Sequence, residues 1–226
     1  FSFKDLYFAL NYRIRTGIFT IDPGLTLHFY ENNNTQLGVT YARDISDIRP
    51  NLRVNMQFKK NENLRFTYRK NTQFTDVNNI SEGYVFNNYN SIFKGNRELE
   101  AAIVNSYNLN YRSINQFTFT NIFSNISYSK RENSIQSRAA IVGINSVRTA
   151  DNSIFPRETY SARARLDKRF KNIKINLSAN IRYSEFSNII NDVVNNAESF
   201  NQDYEASLET NFRDKPNFEI GLKYNL

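Results

Sequence analysis

Ten stretches of this chain alternate apolar and polar residues. A period of two puts one set of side chains on each face of a β-strand, so the pattern commits the chain to strands with one apolar and one polar face. Between Lys174 and Tyr183 the rule has no exception: Ile175, Leu177, Ala179, Ile181 and Tyr183 stand against Lys174, Asn176, Ser178, Asn180 and Arg182. The stretches come in five pairs. Within a pair the gap is a few residues, and between pairs it is a dozen or more. Strands of roughly ten residues, paired across tight turns and separated by long polar loops, are what a transmembrane β-barrel requires.

The first pair covers 6–15 and 18–31, joined at Thr16-Gly17. Leu6, Phe8, Leu10, Tyr12 and Ile14 share one face, as do Phe19, Ile21, Leu25, Leu27 and Phe29. Because Pro lacks an N–H, Pro23-Gly24 is expected to mark a bulge or bend. The polar stretch 32–50 reads as a loop, with Leu37, Val39 and Tyr41 as a candidate strand beyond the membrane. The second pair, 52–59 and 64–70, turns at Lys60-Asn61-Glu62-Asn63. A long irregular segment, 72–102, leads to the third pair, 103–112 and 116–130. Its second strand slips phase between Phe117/Phe119 and Ile122/Ile126/Tyr128, the sign of a bulge near Thr120-Asn121. A loop over 131–157 precedes the fourth pair, 158–170 and 172–186. A loop over 188–199 precedes the fifth, 204–212 and 218–224. Phe58, Phe66, Tyr111, Phe117, Phe212 and Phe218 flank the short turns, as an interfacial girdle does.

Composition limits the chemistry. A mean hydropathy of −0.61 does not oppose a barrel, because only alternate residues of a strand meet lipid. No run approaches the ~18 apolar residues of a membrane helix. The charge of +7 is scattered over every strand rather than gathered in a stripe, which argues against nucleic acid as a partner. No cysteine is present and His28 is the one histidine, so no thiolate or histidine metal cluster and no catalytic triad can form. His28 falls on the polar face with Thr26. The pairs Glu205/Glu209 and Asp44/Asp47 read as solvated strand faces rather than acid/base dyads. The chain is therefore expected to be no enzyme, with no catalytic, metal or cofactor site. It carries no apolar leader and ends in mid-pattern at Tyr224-Asn225-Leu226. This points to a fragment of a longer polypeptide, a single partial barrel domain over 1–226 with its closing strands elsewhere.

The stretch from Asn51 to Arg112 resembles a recurrent segment of TonB-dependent outer-membrane receptors. Two strands like Asn51–Phe58 and Leu64–Lys70 lead there into a long external loop, closed by a Gly-Asn-Pro-x-Leu-x-Pro-Glu element. The counterpart here is Lys94-Gly95-Asn96-Arg97-Glu98-Leu99-Glu100-Ala101. Gly95, Asn96 and Leu99 match, while Arg97 and Ala101 replace the prolines and Ala102 the glutamate. From Tyr160 to Leu226 the chain is similar to the outer membrane protein beta-barrel families of Bacteroidota, above all at Arg169–Leu177 and Phe218–Tyr224. The resemblance implies roughly ten consecutive strands from the later half of a 22-stranded barrel in the outer membrane of a Gram-negative bacterium. It implies short periplasmic turns, long extracellular loops, and a plug and TonB-contacting segment elsewhere in the protein.

On that reading the function is TonB-dependent uptake of a nutrient such as an oligosaccharide, a peptide or a chelate. Candidate ligand contacts are Phe74, Tyr84, Phe86, Tyr89 and Phe93, aromatics among asparagines in the 72–102 loop, where stacking could hold a sugar or peptide. Candidate lumen-lining residues are Arg53, Arg65, Arg69, Arg112, Arg163, Arg165 and Arg182, which outnumber the acids on the same faces. They either pair with plug carboxylates or favour anionic and polyhydroxyl solutes. The expected partners are lipid, the rest of the barrel with its plug, the TonB complex and a surface lipoprotein. One rival is a non-transporting barrel that scaffolds a surface complex, and another is a soluble β-rich adhesion module.

Overall fold

The computed structural model describes residues 1–226, and the side chains of all of them except Asn87 and Val142. The strands are β1 (Ser2–Asn11), β2 (Ile14–Thr16), β3 (Phe19–Gln36), β4 (Val39–Lys59), β5 (Glu62–Gln73), β6 (Tyr84–Asn88), β7 (Ser91–Lys94), β8 (Ala102–Asn115), β9 (Thr120–Glu132), β10 (Ile135–Val142), β11 (Asn145–Asn152), β12 (Arg157–Phe170), β13 (Ile173–Ile190), β14 (Val193–Thr210) and β15 (Glu219–Asn225). One helical turn, α1 (Val77–Ile80), precedes β6. The wall is an antiparallel sheet in the order β1-β3-β4-β5-β8-β9-β12-β13-β14-β15, with β2 prolonging β1 alongside β3. These are the five expected pairs, each a hairpin beside the next. β1 and β15 each pair on one side only.

Register converts the alternation into two continuous faces. Leu52, Tyr68, Tyr107, Tyr128, Tyr160, Tyr183 and Phe200 form one row across seven strands of the apolar face. From Tyr68 onward, adjacent rings are 4.7–6.4 Å apart, within the range of favourable aromatic pairs. Immediately beyond it Lys130, Glu158, Glu185 and Glu198 face one another, and the Tyr160 and Tyr183 hydroxyls donate to Glu158 (2.8 Å) and Glu185 (2.6 Å). The apolar face stops there. Tyr160 to Phe170 is one crossing of the size expected for a tilted membrane strand, ~9–11 residues. No second layer covers this face, and Leu6, Phe8, Leu10, Ile126 and Leu222 are exposed. Each such side chain costs about 1.5–3 kcal/mol to leave in water, so the bare face calls for lipid.

The same row reveals the tilt. It stands at Tyr68 on β5, which begins at Glu62; at Tyr107 on β8, which ends at Asn115; and at Tyr160 on β12, which ends at Phe170. The short-turn end thus recedes by about two residues per hairpin, or one per strand. With a rise of ~3.3 Å per residue and ~4.8 Å between strands, level turns require a tilt of about 35°. That is the inclination of a barrel wall.

Several connections differ from the sequence expectation. Residues 32–50 and 188–199 are not loops: β3–β4 and β13–β14 run far past the apolar band and close in two-residue turns. Both turns, Leu37-Gly38 (φ 51° and 79°) and Asn191-Asp192 (φ 49° and 63°), have the paired positive φ of a tight hairpin. The phase slip after Gln116 is no bulge. Phe117 and Phe119 lie in the turn before Thr120, and β9 pairs with β8 without a shift. The bulge lies instead at Phe58, before a turn narrowed to Lys60-Asn61. At Pro23-Gly24, β3 keeps its register with β4, and it is β1 that is interrupted, at Tyr12-Arg13. Asp44 and Asp47, three apart, point to opposite faces.

The two remaining long connections contain strands. β6–β7 and β10–β11 are hairpins joined through parallel β7–β11 pairing, and β10 pairs in parallel with β13 at Arg138–Ile189. β12 covers β13 only as far as Glu185, so the upper edge of β13 is open to β10. A small core of Ile80, Leu99 and Ala150, flanked by Phe93 and Ile135, holds this sheet together.

Candidate functional site

The polar face is the other product of the alternation. On β1–β5 it is dominated by guanidinium groups. Arg13 donates to Asp22 (2.6 Å), Asp22 is level with Arg53 and Thr67, and the next row towards the loops holds Asn11, Gly24, Asn51 and Arg69. The row towards the short turns holds Arg15, Thr20, Asn55 and Arg65. A concavity of about 380 Å3 opens among Asn11, Asp22, Asn51, Arg53, Thr67 and Arg69. A Cβ on Gly24 would collide with the amides of Asn11 and Asn51, so the missing side chain lets them close over this position.

Beyond β5 the face turns to amides and hydroxyls: Asn125 donates to Asn110 (2.8 Å) and Ser127 bonds Ser161 (2.6 Å). Arg163 and Arg182 lie among them, Arg165 donates to Asp167 (2.9 Å), and Arg112 rests on the Phe123 ring (6.0 Å). All seven arginines expected on the polar face are there. Three of them, Arg53, Arg65 and Arg69, share the β4–β5 patch, while the other four are dispersed.

At the loop end of this face, sequence reasoning missed a polar network. His28 Nδ1 donates to Asp5 (2.9 Å), and its Nε2 faces an Arg49 N–H at 3.5 Å. Arg49 donates to Asp47 (2.6 Å), which also accepts from Thr72 (2.5 Å) and Lys70 (3.4 Å). The His28 ring stacks between Tyr7 and Tyr30, and Phe74 caps Tyr30. The network forms where the β4–β5 ladder ends, at Asn51–Arg69, next to Pro50 with its missing N–H. Asp47 lies beyond Ile48, the last apolar-face residue of β4. Burial raises its pKa, but the bonds from Thr72 and Arg49 and the charges of Arg49 and Lys70 outweigh that and hold it below the usual carboxylate range. The available signal was Leu37-Gly38: read as a turn, it sets Asp47 opposite His28.

The loop aromatics divide. Phe74 packs on Phe3 and Tyr30, and Phe93 packs against the small core. Tyr84 lies beneath Lys94 (5.6 Å), and Phe86 and Tyr89 stand 75% and 91% exposed. Tyr84 and Phe86 share a face of β6, an edge strand.

The outer membrane protein beta-barrel family matches residues 6–226, and the chain belongs to that family. In such proteins the apolar face meets lipid and the polar face the lumen, which removes the soluble alternative. A depression of about 690 Å3 on the apolar face, over Ala164, Ala179 and Ala206, accordingly belongs to the lipid-facing wall of the outer membrane. The fold is similar to the FrpB iron transporter (F3-3 variant) of Neisseria meningitidis, with a TM-score of 0.63, 15% identity, and 98% of this chain against 32% of that one. It is similar to the hemophore receptor HasR of Serratia marcescens in complex with its hemophore HasA and heme, with a TM-score of 0.62, 12% identity, and 99% against 45%. The copper transporter OprC gives a TM-score of 0.59, 10% identity, and 96% against 38%. The chain thus spans about a third of the first of these transporters. No curated protein matches the sequence.

Proposed function

We propose that this chain is part of the wall of a TonB-dependent outer-membrane transporter that takes a nutrient into the periplasm. The observation that carries the reading is the pairing of a lipid-facing apolar wall with a polar face rich in unpaired arginines, amides and hydroxyls. A lumen lined this way keeps water and offers hydrogen bonds to a polar solute. The short turns face the periplasm and the β6–β7 and β10–β11 sheet faces outward, where Tyr84, Phe86 and Tyr89 stack on a sugar, peptide or chelate. A plug elsewhere in the protein fills the lumen and yields when TonB pulls on it. That part of the mechanism rests on resemblance alone.

The experiment is deletion of the full-length gene, followed by growth on a panel of oligosaccharides, peptides and ferric chelates as limiting nutrients. Growth on one class should be lost. Replacing Tyr84, Phe86 and Tyr89 by serine should weaken capture of that class about tenfold, with the amount of protein in the membrane unchanged. Growth unaffected on every class would overturn transport. It would favour the second reading, a barrel that scaffolds a surface complex, which has its own support in the open β6 edge carrying exposed Tyr84, Val85 and Phe86.

A further inference from the structure

Charge is uneven along the polar face. Arg13, Arg15, Arg53, Arg65 and Arg69 gather on the first strands around one carboxylate, Asp22. Arg13 already holds that carboxylate through two bonds, of 2.6 and 3.3 Å. Among the described residues Arg53, Arg65 and Arg69 take part in no ion pair. Elsewhere on the wall acids are matched more evenly, as in Arg165–Asp167 and Lys174–Glu209. Like charges this close repel, and a concave wall of low dielectric concentrates their field.

Shape coincides with charge. The 380 Å3 notch lies within this patch, with Arg53 and Arg69 on its β4–β5 side and Thr67 between them. At its loop end the amides of Asn11 on β1 and Asn51 on β4 are drawn over Gly24 of β3. The Arg13–Asp22 ion pair also lines the notch, so beside that matched carboxylate the free donors are two fork-shaped guanidinium groups, two amides and one hydroxyl. Guanidinium forks match carboxylate and phosphate oxygens in pairs.

We infer that this notch is an oxyanion site, taking a carboxylate or phosphate group of the solute that passes along the wall. The inference rests on the transport reading, which makes the polar face a lumen. It goes further by naming the solute's charge and the residues that meet it.

The test uses the full-length protein in detergent, with inorganic phosphate and citrate as probes and titration calorimetry as the measurement. At least one probe should bind, and added sodium chloride should weaken it. The double variant Arg53→Gln/Arg69→Gln should lose at least tenfold in affinity. Gly24→Ala, which inserts a methyl between the two amides without changing charge, should lose severalfold. Arg163→Gln, on the same face outside the notch, should stay within twofold. Heat-modifiable gel mobility verifies that every variant is folded. Binding of neither probe overturns the inference, and so does an equal loss in Arg163→Gln. If neither probe binds and the double variant also melts earlier, the arginines are held by carboxylates of the protein's own other segments. The two readings separate cleanly. Solute uptake unchanged in the double variant, without probe binding, overturns the notch and leaves transport standing. Probe binding in a protein whose deletion changes no uptake does the reverse.

Discussion

Asp47 shows what a single charge does when its surroundings are arranged for it. It is only 8% exposed, and a carboxylate so placed is costly unless hydrogen bonds and opposite charges compensate. Thr72, Arg49 and Lys70 supply both. Its pKa is therefore lower in the folded protein than in the unfolded chain, where a carboxylate titrates near ~3.9. A depressed pKa contributes stability that is complete above the unfolded value and is lost as pH falls through the folded one. Asp47→Asn should cost on the order of 1–3 kcal/mol at neutral pH. The gap to the parent should close below about pH 4. Denaturant titrations of the full-length protein at a series of pH values give the answer; a gap constant from pH 3 to 7 would mean the charge contributes nothing. Alternation could not reveal this, because Asp47 sits in a stretch without it; only the turn at Leu37-Gly38 pointed to the pairing of Asp47 with His28.

The loss of alternation has a cause at the level of the strand. Lipid covers one face of a membrane strand, and the period of two is the imprint of that asymmetry. Past Phe29 on β3, Ser46 on β4 and Glu185 on β13, water reaches both sides and the imprint fades, while backbone pairing continues to Gln36–Val39 and Ile190–Val193. A reading based on period therefore finds the crossing segments and mistakes the extensions for loops. The turn at Leu37-Gly38 adds to the error, since leucine is not a residue that turn chemistry selects. The small sheet between β5 and β12 was hidden for a related reason: its strands are short, and two of its pairings are parallel. One fragment of it was nonetheless written plainly. Gly95, Asn96 and Leu99, the residues that match the receptor element, prove to be packing residues. Leu99 enters the small core, and the Gly95 and Asn96 N–H groups donate to the carbonyls of Ser81 (2.9 Å) and Asn79 (2.7 Å). A Cβ at Gly95 would come within 2.5–2.7 Å of backbone atoms of Asn79 and Ser81, which cannot move aside as a side chain can. Gly95→Ala should loosen the 74–101 segment and raise its rate of cleavage by an added protease at least tenfold. Gly83→Ala, where the nearest atom is Ser81 Oγ at 3.8 Å, should not. Equal cleavage in the two variants would show that the segment does not depend on this approach.

For the whole molecule the decisive property is the tilt, and it changes what the aromatic row means. A row of hydrogen-bonded neighbours is level only in an untilted sheet. At about 35° the row climbs about 3 Å per strand, so Tyr68 and Tyr183 belong to one row yet not to one depth. Six residues separate Tyr68 from the first residue of β5, and ten separate Tyr183 from the first residue of β13. These correspond to heights of about 16 Å and about 27 Å above the short turns, against an apolar band about 25 Å tall. Tyr68 is thus deeper in the hydrocarbon and Tyr183 is at its margin; the Tyr68 hydroxyl donates to a neutral amide, Asn105 (3.0 Å), and the Tyr183 hydroxyl to a charged carboxylate, Glu185 (2.6 Å). An arginine on the lipid face costs about 2–4 kcal/mol at the midplane and about 0–1 near the boundary. Tyr68→Arg should therefore be 2–3 kcal/mol less stable than Tyr68→Ala, and Tyr183→Arg within about 1 kcal/mol of Tyr183→Ala. Reversible folding of the full-length protein into lipid vesicles, followed by denaturant titration, measures both differences. Equal penalties would mean the row is level, and the barrel geometry derived from the register would fall with it. A penalty at neither position would mean that this face never meets lipid.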